Sequence, residues 1–243
     1  MDDIDAHLVI DWTLVRFYNT VMGLAAGAAI ASLGRIAWAL VRITRIDPRG
    51  WAINLLVLGF ILFPTGLHMT LTWPLAPMGS ADNIAFGEPT LVLGALCIGL
   101  GFYFWRQAAE ITGAQSPLVH VATDLRHLRF LLIGVGLALI AIAAAGPTWH
   151  LYTAPPEEPI AGLEAVLGVP YLTTYAISGL WAAIGVIAVF TPFTIDRIAR
   201  EDGQITRLDL IGIGALTLLG IALMLMSAAV YFTHIGMVLN TAA

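Results

Sequence analysis

Lysine does not occur in this 243-residue sequence, cysteine occurs once, and charged residues make up only 11% of it. Each shortage excludes something. A soluble domain carries about 25% charged residues, so a chain this poor in charge lacks the polar surface that a water-soluble fold displays. With no basic run and a formal net charge of -5, nothing tracks a nucleic-acid backbone, and nucleic acid is not an expected partner. The lone Cys97 sits in an apolar run. It cannot close a disulfide within the chain or anchor a cysteine-based zinc or iron–sulfur site, and it reads as a small packing residue. No P-loop, G-x-S-x-G, H-E-x-x-H or dinucleotide-binding glycine motif is present, which removes the familiar soluble enzyme chemistries. The acidic N-terminus, MDDIDAHLVIDW, lacks the basic segment of a cleavable signal peptide. The first apolar helix is therefore expected to stay in the membrane.

What fills the sequence instead is apolar: 59% hydrophobic residues and a mean hydropathy of +0.87. About 20 apolar residues span the hydrocarbon core of a bilayer as a helix. Six stretches approach or reach that length, at 18–41, 51–73, 89–105, 128–149, 171–193 and 208–238, most of them bounded by Trp or Tyr. The expected fold is an all-α polytopic bundle of about six transmembrane helices, within one integral membrane domain spanning 1–243. Arg35, Arg42, Arg45 and Arg49 surround the first connection, Arg106, Arg126 and Arg129 the third, and Arg197, Arg200 and Arg207 the fifth. Only Arg16 falls on the other side. The positive-inside rule puts the arginine-rich side in the cytoplasm and both termini outside. Arg35, set within an apolar stretch, is expected to snorkel to the interface or to pair with Asp209.

Helices two and three share a layout with helices four and five. One outward helix ends Pro64-Thr65-Gly66-Leu67-His68 and the chain restarts at Gly87-Glu88-Pro89; the other ends Gly146-Pro147-Thr148-Trp149-His150 and restarts at Gly168-Val169-Pro170. From His to the following Gly is 87 − 68 = 19 residues in one and 168 − 150 = 18 in the other. This allows an internal repeat about an axis along the membrane normal. Small-residue steps at Gly23/Gly27 and Ala95/Gly99 allow close helix packing, within the chain or between copies.

Histidines carry the sharpest chemical possibility. His68, His150 and His234 lie near the outer ends of the three outward-running helices. Imidazole ligates zinc, copper, iron and haem, so His68 and His150 are candidate cofactor ligands, with His234 a third ligand for a metal. By residue count from the nearest cytoplasmic arginine, His68 and His150 differ in depth by about 3 Å, whereas His234 lies about 10 Å further out. Glu88 is expected at the start of the third helix, where it either gains from the helix dipole or orients His68 as a metal-site carboxylate. Met69, Met78, Met226 and Met237 with imidazole would suit copper, or simply pack. His7 is expected in solvent, Glu157, Glu158 and Glu164 as solvated loop acids, and Asp82 with Asn83 as turn builders.

The run Thr65-Gly66-Leu67-His68-Met69-Thr70-Leu71-Thr72-Trp73-Pro74-Leu75, followed by Asn83-Ile84-Ala85-Phe86-Gly87-Glu88-Pro89, resembles the signature of an uncharacterised prokaryotic family of multi-pass membrane proteins, a domain of unknown function. That resemblance covers about 25 residues, implies a small multi-pass protein of a prokaryotic cytoplasmic membrane, and brings no activity with it. It marks His68, Trp73, Gly87 and Glu88 as the positions to test first. Three functions compete. One is a redox or accessory subunit holding haem b or a transition metal (copper, zinc or iron) at His68 and His150. Another is a structural subunit of a larger membrane complex, or a self-associating one, without chemistry of its own. The third is a small-solute transporter or channel, against which counts the lack of a central acidic or basic series.

Overall fold

The computed structural model describes residues 18–42, 46–75 and 80–241; the expectations for His7, Arg16, Arg45 and Met78 lie outside the described residues. Among these, the elements are α1 (Asn19–Val41), α2 (Pro48–Thr72), α3 (Ser80–Arg106), α4 (Ala108–Gly113), α5 (Pro117–Leu125), a 3-10 turn (Arg126–Leu128), α6 (Arg129–Trp149), α7 (Pro159–Leu167), α8 (Leu172–Arg200) and α9 (Arg207–Thr241), with no strand. Six helical stretches are long and apolar enough to cross a bilayer, the fourth running from Pro117 through Trp149. Large apolar side chains point outward: Phe60, Phe102, Phe130, Phe190 and Phe232 are each more than half exposed. In water that surface would drive aggregation; in hydrocarbon it is the solvent-matched face. The chain forms an all-α polytopic membrane bundle.

Three antiparallel pairs build it: α1 with α9, α2 with α3, and α6 with α8. Small residues set the spacing. A Cβ built on Gly27 would stand 2.7 Å from the Gly220 carbonyl oxygen, and one on Gly220 would stand 2.7 Å from that of Gly27. The α1 and α9 backbones thus touch, as lipid-embedded helices do where small residues face each other. The Gly23/Gly27 step is used inside the chain. The Ala95/Gly99 step is not: both residues are exposed, and nothing lies within 4 Å of a Cβ on Gly99.

Helix ends and breaks are handled locally. Asp47 caps α2, its Oδ1 accepting from Gly50 N–H at 3.0 Å, with Pro48 in the first turn. Interior prolines open the hydrogen-bond ladder at Pro64, Pro147 and Pro192. Beside each, a threonine hydroxyl donates back one turn: Thr65 to Ile61 at 2.6 Å, Thr148 to Ala144 at 2.7 Å, and Thr191 to Ile187 at 2.7 Å.

The described arginines gather at the α1–α2, α3–α6 and α8–α9 connections. Some lie over aromatic rings, Arg42 at 4.5 Å from the Trp38 centroid and Arg129 at 5.0 Å from that of Phe130. Asp209 does not pair with Arg35. Its carboxylate accepts from Arg197 Nη2, from Thr206 N–H and hydroxyl at 2.6 and 2.8 Å, and from the Thr194 hydroxyl at 3.2 Å. Asp209 begins α9 beside the end of α8, so the nearer arginine takes it, and Arg35 stays exposed on α1.

Candidate functional site

The residues singled out by sequence have different neighbours. His68 lies inside α2, one turn before its end. Its Nδ1 is 2.6 Å from the Tyr18 hydroxyl and 3.2 Å from the Thr72 hydroxyl. Two tautomers satisfy this arrangement. With Tyr18 donating, the ring proton sits on Nε2; with Nδ1 protonated, Nε2 keeps a lone pair that a metal could use. Burial raises the Tyr18 pKa, which keeps its hydroxyl protonated. His150 is the left-handed cap of α6 (φ 53°), exposed, its ring stacked on Tyr171 at 4.6 Å. His234 lies on α9, mostly buried, with Nε2 3.8 Å from Glu158 Oε1.

Glu88 is not at a helix start. Helix α3 begins at Ser80, so Gly87, Glu88 and Pro89 lie two turns inside it, and Glu88 is exposed beyond reach of the dipole benefit. The α3 helix starts early because its first turns are anchored: Asn83, fully buried, accepts from Leu75 N–H at 2.9 Å. The matching Gly168 instead ends α7 in a left-handed conformation. The two hairpins share their helix pairing and a left-handed outer cap, Trp73 and His150, but not the place of their histidines. Among the described residues, no group of three or more His, Cys, Asp or Glu is placed to hold a metal ion. The metal set of His68, His150, His234 and Glu88 is therefore not assembled, each member having different neighbours. Met69 and Met237 are buried in an apolar cluster with Met22 and Leu75.

Polar chemistry collects elsewhere at the same, arginine-poor end. Where α3 meets the α6–α7 connection and α8, four polar atoms are buried without a hydrogen-bond partner among the described residues: Asp82 Oδ1, Tyr152 Oη, Ser178 Oγ and Trp181 Nε1. Tyr152, Ser178 and Trp181 are each more than nine-tenths buried. Several contacts draw the group together. Tyr152 N–H donates to the Asp82 carboxylate. Phe86 packs on both Tyr152 and Trp181, with centroids 5.2 and 6.4 Å apart. Gly146 has no side chain to separate Ser178 Oγ from the Tyr152 ring; a Cβ there would collide with the first and stand 3.4 Å from the second. Thr174 pins the loop to α8, donating to Leu151 O at 2.7 Å. Burial first, then the Asp82 carboxylate, push the Tyr152 hydroxyl above the usual phenol range, while the neighbouring Trp181 N–H draws it back without a hydrogen bond of normal geometry. Each unsatisfied buried group costs about 1–3 kcal/mol, so four in one place call for partners beyond the described residues.

Sequence reasoning passed over this group, reading Asp82 as a turn residue. A signal was present: Thr174, Ser178 and Trp181 recur at i, i+4 and i+7, a polar stripe on one face of an apolar helix.

Nearby, Glu158 is not a solvated loop acid. Its side chain is mostly buried against α9. Burial raises its pKa, a Thr233 hydrogen bond lowers it, and the neighbouring Glu164 raises it. Glu164 also caps α8, accepting from Thr173 N–H at 2.9 Å and its hydroxyl at 2.7 Å. A carboxyl whose native pKa is raised contributes stability that is full below its unfolded pKa and is lost as pH climbs through the native value. The facing groups are His234, Thr233 and Glu164. Glu158→Gln is expected to remove that alkaline loss, so the thermal midpoint of the wild type falls with rising pH more steeply than that of the variant. Parallel pH profiles would show that Glu158 is not held in this way.

Six membrane-length helices in antiparallel pairs, with buried polar side chains at one end, define an all-helical multi-pass membrane protein. The family model described as "Protein of unknown function (DUF981)" matches residues 8–237, and the chain belongs to that family. No curated protein and no solved structure matches it.

Proposed function

We propose that the chain is a solute-binding protein of the transporter or channel class. Its home is a prokaryotic cytoplasmic membrane, with both termini outside and the site toward the external face. One observation carries this: four buried polar atoms without partners among the described residues converge where the α2–α3 pair meets the α6–α8 pair. A purely structural subunit has no use for such a cost, because apolar residues would pack the same junction without it. Uptake of small labelled polar solutes into proteoliposomes tests the function. At least one solute is expected to enter faster than into empty vesicles, with the rate lowered by Ser178→Ala. Uptake no faster than in empty vesicles across the panel would contradict it.

A second reading, retention of haem b or a transition metal by His68 and His150, is favoured by the exposure of both rings at the outer ends of α2 and α6. It has its own observable. A Soret band, or stoichiometric metal lost in His68→Ala and His150→Ala, supports it; a colourless, metal-free protein contradicts it.

A further inference from the structure

We infer that the ligand of the Asp82–Tyr152–Ser178–Trp181 site is a small ammonium-type cation, with Asp82 as its counter-ion. This rests on the solute-binding function proposed above and names the class of solute. The donor–acceptor inventory decides the sign. Carboxylate Oδ1 of Asp82 only accepts, the Tyr152 and Ser178 hydroxyls accept as well as donate, and the Trp181 N–H only donates. The one charged member is the acceptor-only carboxylate, and its buried Oδ1 has no donor among the described residues, so the unmet demand that carries charge is for a donor. The four members include one carboxylate, and no group of three His, Cys, Asp or Glu forms there among the described residues. A neutral donor would leave that charge buried and uncompensated, whereas an ion of charge +1 cancels it. A divalent ion would be left under-neutralised.

The walls argue for nitrogen over a bare metal ion. Phe86, one turn along α3 from Asp82, packs against Tyr152 and Trp181, and aromatic faces attract an ammonium and add to its hydrogen bonds. An alkali-metal ion wants five or six oxygens, more than this group supplies. Size follows from the packing. Ring centroids 5.2 and 6.4 Å apart put Phe86 against Tyr152 and Trp181, and packing this close favours the smallest ammonium ions, ammonium or methylammonium, over quaternary ones. The placement is also suitable. Asp82 lies in the first turn of α3 and Tyr152 just past the end of α6, both at the end where the described residues hold no arginine.

The test uses the purified full chain in detergent. Its thermal midpoint is followed against methylammonium chloride, at ionic strength held constant with tetramethylammonium chloride. Methanol serves as the neutral partner of nearly equal size. The midpoint of the wild type is expected to rise saturably with methylammonium and not with methanol. Asp82→Asn, the same shape without the charge, is expected to fold at least as stably as the unliganded wild type. It should bind methylammonium at least about tenfold more weakly, the loss of one charge-assisted hydrogen bond. Ser178→Ala, which keeps the charge, should weaken binding less. A saturable rise with methanol as well would overturn the cation assignment and leave solute binding standing. An undiminished methylammonium response in Asp82→Asn would overturn it too. No response to either compound, with no solute taken up by proteoliposomes, would overturn both.

Discussion

Arg197→Ala is expected to lower the stability of the purified protein by about 3 kcal/mol, the cost of leaving one member of a largely buried ion pair without the other. Asp209 is 5% exposed in its side chain and Arg197 25%, so solvent does little to replace the lost partner. Three further groups hold the carboxylate, the Thr206 N–H and hydroxyl and the Thr194 hydroxyl, and Arg197 also donates to Gln204 O at 2.8 Å. Removing the arginine therefore loosens the whole α8–α9 turn. Asp209→Asn retains most of the hydrogen bonds and should cost less than Arg197→Ala. Unfolding in mixed micelles of mild detergent and dodecyl sulfate measures both. Equal, small losses would show that the pair behaves as a surface one.

Gly27→Ala is the second large effect, about 1–3 kcal/mol of overpacking, although it adds a single methyl group and replaces glycine with a better helix former. The methyl would press on the Gly220 carbonyl oxygen and the Met224 backbone, neither of which is the free end of a flexible side chain. Relief requires α1 and α9 to separate. Gly99→Ala is the control: the same chemistry on α3, with open space at the Cβ position, should be neutral or slightly stabilising. Both variants are read in the same unfolding titration. A neutral Gly27→Ala would mean that α1 and α9 do not approach as closely as described.

The membrane architecture was legible because its signals are long-range averages. Hydropathy over 20 residues and the sorting of arginines do not depend on which face a residue occupies, so six spans and their alternation could be read directly. Helix boundaries were less legible. Pro89 reads as the start of a helix, yet α3 begins at Ser80, because a membrane helix tolerates an interior proline and because Asn83 ties down Leu75. Pairing was legible only in part. Gly23 and Gly27 look no different in sequence from Ala95 and Gly99, and only α9 distinguishes them. The site was the least legible. Histidine draws the eye as a ligand, but His68, His150 and His234 depend on partners distant in sequence: Tyr18, Tyr171 and Glu158. Asp82, Tyr152, Ser178 and Trp181 come from three separate segments, and no local pattern announces that they meet.

The central claim is that this meeting point binds a small ammonium-type cation, and Trp181 is a reporter built into it. Indole emission of the purified protein, titrated with methylammonium, measures the claim most directly, with Trp181→Phe isolating the contribution of that ring from the other tryptophans. A saturable change in the wild type that disappears in Trp181→Phe and shifts to higher concentration in Asp82→Asn is the expected result. An emission that does not respond, or a response that survives in Trp181→Phe, would contradict it.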